Sequence, residues 1–385
     1  MGNKKRVLMS IKKDITSDRT FYFFRGRVAL YAILKAMGIG RGDEIITQAF
    51  TCFAVPDPII SARAKPVYID IDPKTYNMDI AKIEEKITKR TKVVVAQHTF
   101  GIPAEMDIIL EIGKKHNLYV IEDSCHTLAS KYRGRQIGSY GDAAFFSFEW
   151  GKPLIIGLGG CAIVNNQEIK EAMKNICDNF VNPRMKEIAM IRLEYIFYSL
   201  FLNPSSFWRI RDYYRFLYRL GLIIGTFRPQ KIKESINTDY KKRMSNFHRK
   251  LLMKRLANLE DNINHRISVA SQYEKLLLEV GIKTLELDRR YEPVYLRYPL
   301  LVKEKSEILS EARKRKIELG DWFISPIHPL SQEEWECVDY RKGMCPVAED
   351  VSKRIITLPI YEKISKREIE KNISFLVDMK NCGFI

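Results

Sequence analysis

The 385 residues contain no CxxC pair, and the seven cysteines (Cys52, Cys125, Cys161, Cys177, Cys337, Cys345, Cys382) are scattered and odd in number. That argues against a disulfide framework and a zinc site, and makes a reducing cytoplasm the expected compartment. The opening MGNKKRVLMSIKKD lacks an apolar stretch of signal-peptide length because Lys12 and Lys13 interrupt it, so no export is expected. MGNKKR also lacks Ser or Thr at its sixth position, which makes it a poor myristoylation match. No zinc finger, RNP motif or clear helix-turn-helix accompanies the net charge of +17, so a nucleic-acid role would rest on electrostatics alone. Most of that charge reads as lysine-rich solvated surface. Repeats and low-complexity tracts are missing too.

What is present is a globular composition, 46% hydrophobic and 29% charged, at a length that fits a large α/β domain followed by a smaller one. We place the boundary near residue 240, giving 1–240 and 241–385. From about 27 to 178, apolar runs of strand length alternate with helix-period segments, as in a doubly wound sheet. VALYAILKAMG predicts a helix stopped by Gly38 and Gly40, DIAKIEEKI a helix and MDIILEIGKKH a helix. GDEIITQ, AKPVYIDID, KVVVAQ, LYVIE, AAFFSF and GGCAIVN predict strands, most of them apolar on both faces as in a covered sheet. After residue 240, FHRKLLMKRLANLEDNINHRISVASQYEKLLLEVG predicts one long helix ended by Gly281. YPLLV and RIITLPI predict strands, and SEILSEARKRKIE and SKREIEKNISFLVDM helices, of a small α+β domain.

The stretch from about 181 to 240 breaks this rhythm and is dense in aromatics and arginines. Its longest uncharged run, Tyr195 to Trp208, is shorter than a bilayer span and contains Pro204, which argues against a transmembrane helix. Two readings stand side by side. The segment packs on the body of the protein or on a dimer partner, or it lies at a membrane surface with Arg192, Arg209, Arg211, Arg215 and Arg219 among the headgroups.

Ligands of doubly wound sheets collect at the carboxyl ends of the strands, where this sequence puts His98, Asp123, Ser147 and, just beyond, Lys152. Lysine forms an exchangeable imine with an aldehyde cofactor and can then move protons. Lys152 follows a buried strand beside Gly151 and precedes a flexible GLGG. A carboxylate that keeps a pyridine nitrogen protonated would suit Asp123 in IEDSCH, although acids after strands are more often caps or turns. RGRVAL places Gly26 and Arg27 at a helix start, where backbone N–H groups favour an anion. The Arg27 guanidinium and the Ser147 hydroxyl could each add a bond to such an anion.

Together these motifs resemble the DegT/DnrJ/StrS-type sugar aminotransferases, fold type I pyridoxal-phosphate enzymes. The resemblance is carried by GIGRGDEIITQAFTCFAVPDPIISARAKPVYIDIDPKTYNMD, FGIPAEMD, EDSCHTLASKYRGRQIGSYGDAAFFSF, the Lys152 loop with Gly159 and Gly160, KRMS and RIITLPIYEKIS. It implies a large mixed-sheet domain with a small C-terminal α+β domain, and pyridoxal 5′-phosphate bound as an imine to Lys152 with Asp123 on its ring nitrogen. It further implies His126 beside the ring, Ser147, Gly26 and Arg27 at the phosphate, and Arg243 reaching the site of a second copy in a homodimer.

Four positions depart from the family pattern. Arg27 stands where many members have Thr, Lys241 where an Asn is usual and Leu158 where the usual GEGG has Glu. Cys52 stands where many members stack an aromatic on the ring, a support that another residue such as His98 could supply. The implied reaction moves an amino group from glutamate to a keto-sugar carried on a nucleotide, for cell-surface polysaccharide or aminosugar synthesis. No metal is called for. One alternative acceptor is a lipid-linked or membrane-proximal carbonyl compound, with peripheral contact at the inner membrane surface. A non-catalytic regulatory homologue is the third reading.

Overall fold

The computed structural model describes residues 11–204, 206–220, 223 and 238–385, without the side chains at 215, 218, 219 and 238. Arg215 and Arg219, named above as headgroup contacts, therefore lie outside the described side chains, as does most of 221–237.

The first strand, β1 (Thr20–Phe23), leads into α1 (Gly26–Ala36), which is followed by β2 (Glu44–Gln48), β3 (Lys65–Ile69) and β4 (Thr91–Gln97). Then come α2 (Met106–Lys115), β5 (Tyr119–Asp123), β6 (Ala143–Ser147), β7 (Gly160–Val164) and α3 (Gln167–Asp178). All seven strands join one sheet in the order β1-β7-β6-β5-β4-β2-β3. The run from β3 to β6 is parallel, whereas β7 and β1 close one edge antiparallel. The fold class expected from the alternation is the one observed.

Strand periodicity decides which face each residue serves. Val93 and Val95 of β4, Ile121 of β5 and Phe145 of β6 pack under α1 against Val28 and Ile33. The intervening Val94, Ala96 and Val120 pack on the opposite face against Ile109 and Ile112 of α2. Gly38, at φ 74, ends α1 in the left-handed conformation that glycine adopts without a Cβ clash.

Beyond the sheet lie α4 (Met185–Phe201), α5 (Phe207–Arg219), α6 (Asn246–Ala257), α7 (Leu259–Glu279), β8 (Tyr298–Leu301), α8 (Lys305–Lys314), β9 (Ile355–Leu358) and α9 (Lys366–Asn381). β8 and β9 pair antiparallel, and their core joins Tyr273 and Leu277 of α7, Ile308 and Ala312 of α8 and Ile369 and Leu376 of α9.

Two expected helices differ. DIAKIEEKI forms only two short 3-10 turns, Ile80–Lys82 and Glu84–Lys86, with Ile83 the buried side chain between them. One buried residue gives too little apolar face to hold an α-helix. The long helix predicted after residue 240 breaks at Asn258, which caps the end of α6 and the start of α7 at φ −98 and ψ 17. Glu260 and Asp261 then sit in the first turn of α7, where acids favour a helix start. The edge strand β1, four residues long, precedes the region from which strands were read.

Residues 181–220 dock on the protein's own body. Trp208 of α5 is buried in the C-terminal core, its indole N–H donating to Ile317 O at 2.7 Å, and Arg211 lies 4.2 Å over its ring. Lys363 Nζ donates to the carbonyl oxygens of Ser199 and Leu202, fastening the end of α4. Among the described residues no helix is long and apolar enough to cross a membrane.

Candidate active site

The carboxyl edge of the parallel strands gathers a buried polar group. Asp123 ends β5 with its side chain on the α1 face, and its carboxylate accepts the Cys125 N–H at 3.0 Å. Burial raises its pKa above the ordinary 3.8, with the Cys125 bonds and the charges of Lys152 and His98 opposing that rise. The Lys152 charge acts on Cys52, Asp123, Cys125 and His126, so the amine shares one electrostatic neighbourhood with all four.

His126 is buried and nearly parallel to Phe100, Trp322 and Phe323, with ring centroids 6.3, 5.9 and 6.0 Å away. Phe100 N–H donates to its Nδ1 at 3.2 Å, which assigns the ring proton to Nε2 when the ring is neutral. Burial first, then the Lys152 and His98 charges, push its pKa well below the usual 6.5, so this ring stays neutral at physiological pH.

The start of α1 is unusually close to the sheet. A Cβ on Gly26 would lie 2.9 Å from Ser147 Cβ, and one on Gly160 would lie 2.4 Å from Gly26 N. Larger residues at either position would push the helix end off the strand pair β6 and β7. Arg25, at the cap position, provides no side-chain cap, and no acid occupies the first turn. Helix N–H groups packed this tightly beside the Ser147 hydroxyl make a cradle suited to an anion. A planar pyridine aldehyde with a phosphate tail fits this set: an amine, a buried carboxylate, stacked rings and an anion cradle.

Several candidates are placed elsewhere. Arg27 Nη1 lies 3.0 Å from Asp57 Oδ2, and the guanidinium stands over the Phe53 ring. Although burial opposes its charge, Asp57, Tyr240, Glu149 and Cys52 outweigh that and raise its pKa. Its side chain therefore forms a buried ion pair at the chamber wall, not the phosphate contact expected of it. His98 is fully buried with Nδ1 accepting the Ala104 N–H at 3.0 Å and Nε2 3.4 Å from Glu122 Oε2. Glu122, one residue before Asp123, points to the opposite sheet face, where it also accepts the N–H groups of Gly138, Tyr140 and Gly141. With Nδ1 bonded to Ala104 N–H and Nε2 turned toward Glu122, the His98 ring lies on the face opposite Asp123, away from the aromatic support proposed in place of Cys52. The Arg243 guanidinium donates to Phe180 O and Cys177 O at the end of α3, where a cation complements the helix dipole.

Cys52 borders the site, with burial raising its thiol pKa. Thr51–Cys52 pairs in parallel with Ile327–His328, which ties the chamber to the C-terminal half of the chain. Two residues absent from the sequence reading complete it. Trp322 lies with its ring 5.4 Å from Lys152 Nζ, and the buried Glu149 carboxylate lies 3.5 Å from Arg25 Nη1. No local pattern marks Trp322, because it arrives from a segment about 170 residues along the chain from Lys152. Glu149, two residues after the strand that carries Ser147, was open to the same edge argument as Lys152.

The DegT/DnrJ/EryC1/StrS aminotransferase family matches over residues 24–191 and 210–376. The chain belongs to this aminotransferase family. The aminotransferase is 30% identical over 361 residues to the spore coat polysaccharide biosynthesis protein SpsC of Bacillus subtilis, covering 91% of this chain and 82% of that protein. It is 28% identical over 349 residues to GDP-perosamine synthase of Escherichia coli O157:H7, covering 89% and 81%. The solved structure of Streptomyces venezuelae DesV superimposes with a TM-score of 0.75 at 23% identity, over 98% of this chain and 88% of that one. NtdA of Bacillus subtilis, solved with bound cofactor PMP, does so at 0.71 and 20% identity, over 97% and 77%.

The departure at Leu158 has a packing reason in this aminotransferase. Leu158 is buried with Phe24 and Ile191, the last being the buried residue of α4. The loop after Lys152 is thereby locked to the helix within which the family match breaks off.

Proposed function

We propose that this aminotransferase moves an amino group from glutamate to the carbonyl carbon of a keto-sugar, with pyridoxal 5′-phosphate held by Lys152, Asp123, His126, Ser147 and the α1 start at Gly26. The observation that carries the reading is the common electrostatic neighbourhood of Lys152, Asp123 and His126 at the strand ends. Relatives named for GDP-perosamine and for aminated UDP-sugars support a sugar acceptor.

When bound, the cofactor supplies an electron sink that acidifies the carbon bearing the amino group. Asp123, whose charged form is disfavoured by burial, gains a cationic partner in the protonated ring nitrogen and holds the proton there. His126 stays neutral, and with its Nδ1 tied to Phe100 N–H its imidazole would be the face against which the cofactor ring lies. The cradle of Gly26, Gly160 and Ser147 would hold the phosphate and so anchor the cofactor at the start of α1. Lys152 would hold the cofactor when no substrate is bound, and its amine would be the group that moves the proton released from the donor carbon. In the second half the same amine runs this transfer in reverse on the sugar.

The test is an absorbance spectrum of the purified chain before and after glutamate. About one lysine-bound cofactor per chain should give a visible band that glutamate bleaches, with 2-oxoglutarate formed in equal amount, and Lys152→Ala should show neither band nor bleaching. A wild-type band that ignores glutamate would refute the donor assignment, and an unchanged Lys152→Ala spectrum would refute the role of the lysine.

A further inference from the structure

A cavity of about 760 Å³ opens on Lys152 and Trp322 from the side of α4 and α5. Its far wall is apolar, built from Ile196, Phe197 and Leu200 of α4 and Phe207, Ile210 and Leu217 of α5. The family match stops at residue 191 and resumes at 210, so the α4 half of this wall and Phe207 belong to the stretch outside it. This wall is a feature of the chain that the shared cofactor chemistry does not require.

Charge decides what the cavity suits. A nucleotide carrier would bring a diphosphate, which needs cations free to bond it. Among the described side chains of the lining, Arg211 is paired with Asp321 at 3.1 Å and Arg297 with Glu318 at 3.1 Å. Arg266 donates to the carbonyl oxygens of Tyr295 and Leu296. With these guanidiniums already engaged, the lining offers a diphosphate little cationic capacity. The volume falls in the range of sites that enclose a small molecule, and an apolar wall of this extent favours hydrocarbon.

The α4 wall is also open to water: Leu193 and Leu200, which line the cavity, are 68% and 69% exposed. Large apolar side chains left exposed together mark a surface that binds another molecule.

We propose that the cavity takes the hydrocarbon chain of a lipid-linked keto-sugar, an acyl or isoprenoid carrier whose sugar carbonyl is thereby brought to Lys152. This rests on the amino-transfer reading above and names its substrate class. Recognition divides between two regions: the strand edge holds the cofactor, and the α4–α5 wall removes a hydrocarbon chain from water.

The test titrates the full, cofactor-loaded chain with 11-(dansylamino)undecanoic acid and follows dansyl emission, with oligomeric mass recorded alongside. Saturable binding is expected. Phe197→Asp and Ile210→Asp should weaken it at least tenfold. Ile210→Trp, which fills space without burying charge, should do the same if the Asp variants do not fold. Phe216→Ser, outside the lining and 56% exposed, should bind as the parent does. Absent binding, equal binding by the filled variants, or displacement of the probe by UDP would each overturn the hydrocarbon subsite. Loss of a dimer in Phe197→Asp, with no probe binding by the parent, would assign the wall to a second copy instead. The glutamate-induced bleaching separates the two readings: bleaching without probe binding removes only the lipid carrier, and probe binding without bleaching removes the amino-transfer reading.

Discussion

The strand edge and the α4–α5 pair sit on either side of Lys152 and solve opposite problems. At the strand edge polar groups are buried against fixed partners: Asp123 against Cys125 N–H, His98 against Ala104 N–H, Arg27 against Asp57. Along α4 and α5, large apolar side chains stand exposed, including Leu193, Leu200, Phe201 and Phe216. Buried polar groups held in place serve a fixed cofactor, because a misdirected one would cost about 1–3 kcal/mol in lost bonding. Exposed apolar groups mark a surface whose partner is a separate molecule. The difference suggests that chemistry and substrate choice are carried by different parts of the chain.

The largest effect expected is on chemistry. Lys152→Ala should lower the rate of amino transfer by about a hundred- to ten-thousand-fold through loss of proton transfer alone, measured as single-turnover bleaching with glutamate after cofactor is supplied. Retained turnover would break the assignment of chemistry to the strand edge.

On the other side, Trp208→Ala should destabilise the fold by about 3–5 kcal/mol, because a buried indole is removed and Ile317 O loses its donor. Thermal unfolding of the two proteins checks this, and an unchanged midpoint would show that α5 is not anchored through Trp208.

Lys305 links the two regions. Its buried ammonium donates to the carbonyl oxygens of Asp321, Phe323 and Ser352, on both sides of Trp322, and burial draws its pKa down to about 8. Lys305→Met should remove about 3 kcal/mol of stability, since charge-assisted bonds are worth about 1.5–3 kcal/mol each and do not add fully. The loosened Trp322 should also weaken cofactor retention during dialysis; retention equal to the parent would separate Trp322 from the cofactor.

The smallest effect has an unusual sign. Asp123 titrates above its ordinary 3.8 in the cofactor-free fold, so between 3.8 and its folded pKa the native state holds more protons than the unfolded chain. Stability therefore falls as pH rises through that window, and the burial penalty is fully present at neutral pH. Asp123→Asn should stabilise the cofactor-free protein at pH 7, with the gain fading below about pH 4, while slowing amino transfer. Urea unfolding at the two pH values reads it, and destabilisation at pH 7 would show that the carboxylate is better satisfied than its burial indicates.

Much of the fold could be read from the sequence. The apolar runs KVVVAQ, LYVIE and AAFFSF became β4, β5 and β6, because continuous apolar strands have few options other than a sheet covered on both faces. Asp123, Ser147 and Lys152 could be named as candidates because strand ends are local features. His98 was misread by the same argument: it follows its strand as Asp123 ends its own, but the alternation of faces turns it toward Glu122. Arg27 looked free to meet a phosphate until the fold brought Asp57 within 3.0 Å. Helix strength was overread in DIAKIEEKI, where periodicity was present without a surface to bury.

By itself the sequence determined the strand-helix alternation, the edge at which polar residues collect and the amine and acid that stand there, since each follows from neighbours a few residues away. Tertiary structure alone decided that Trp322 comes to Lys152, that Leu158 meets Ile191 and that α4 and α5 wall a cavity beside the amine. These contacts join segments up to about 170 residues apart, and no local spacing encodes which distant surfaces will exclude water together.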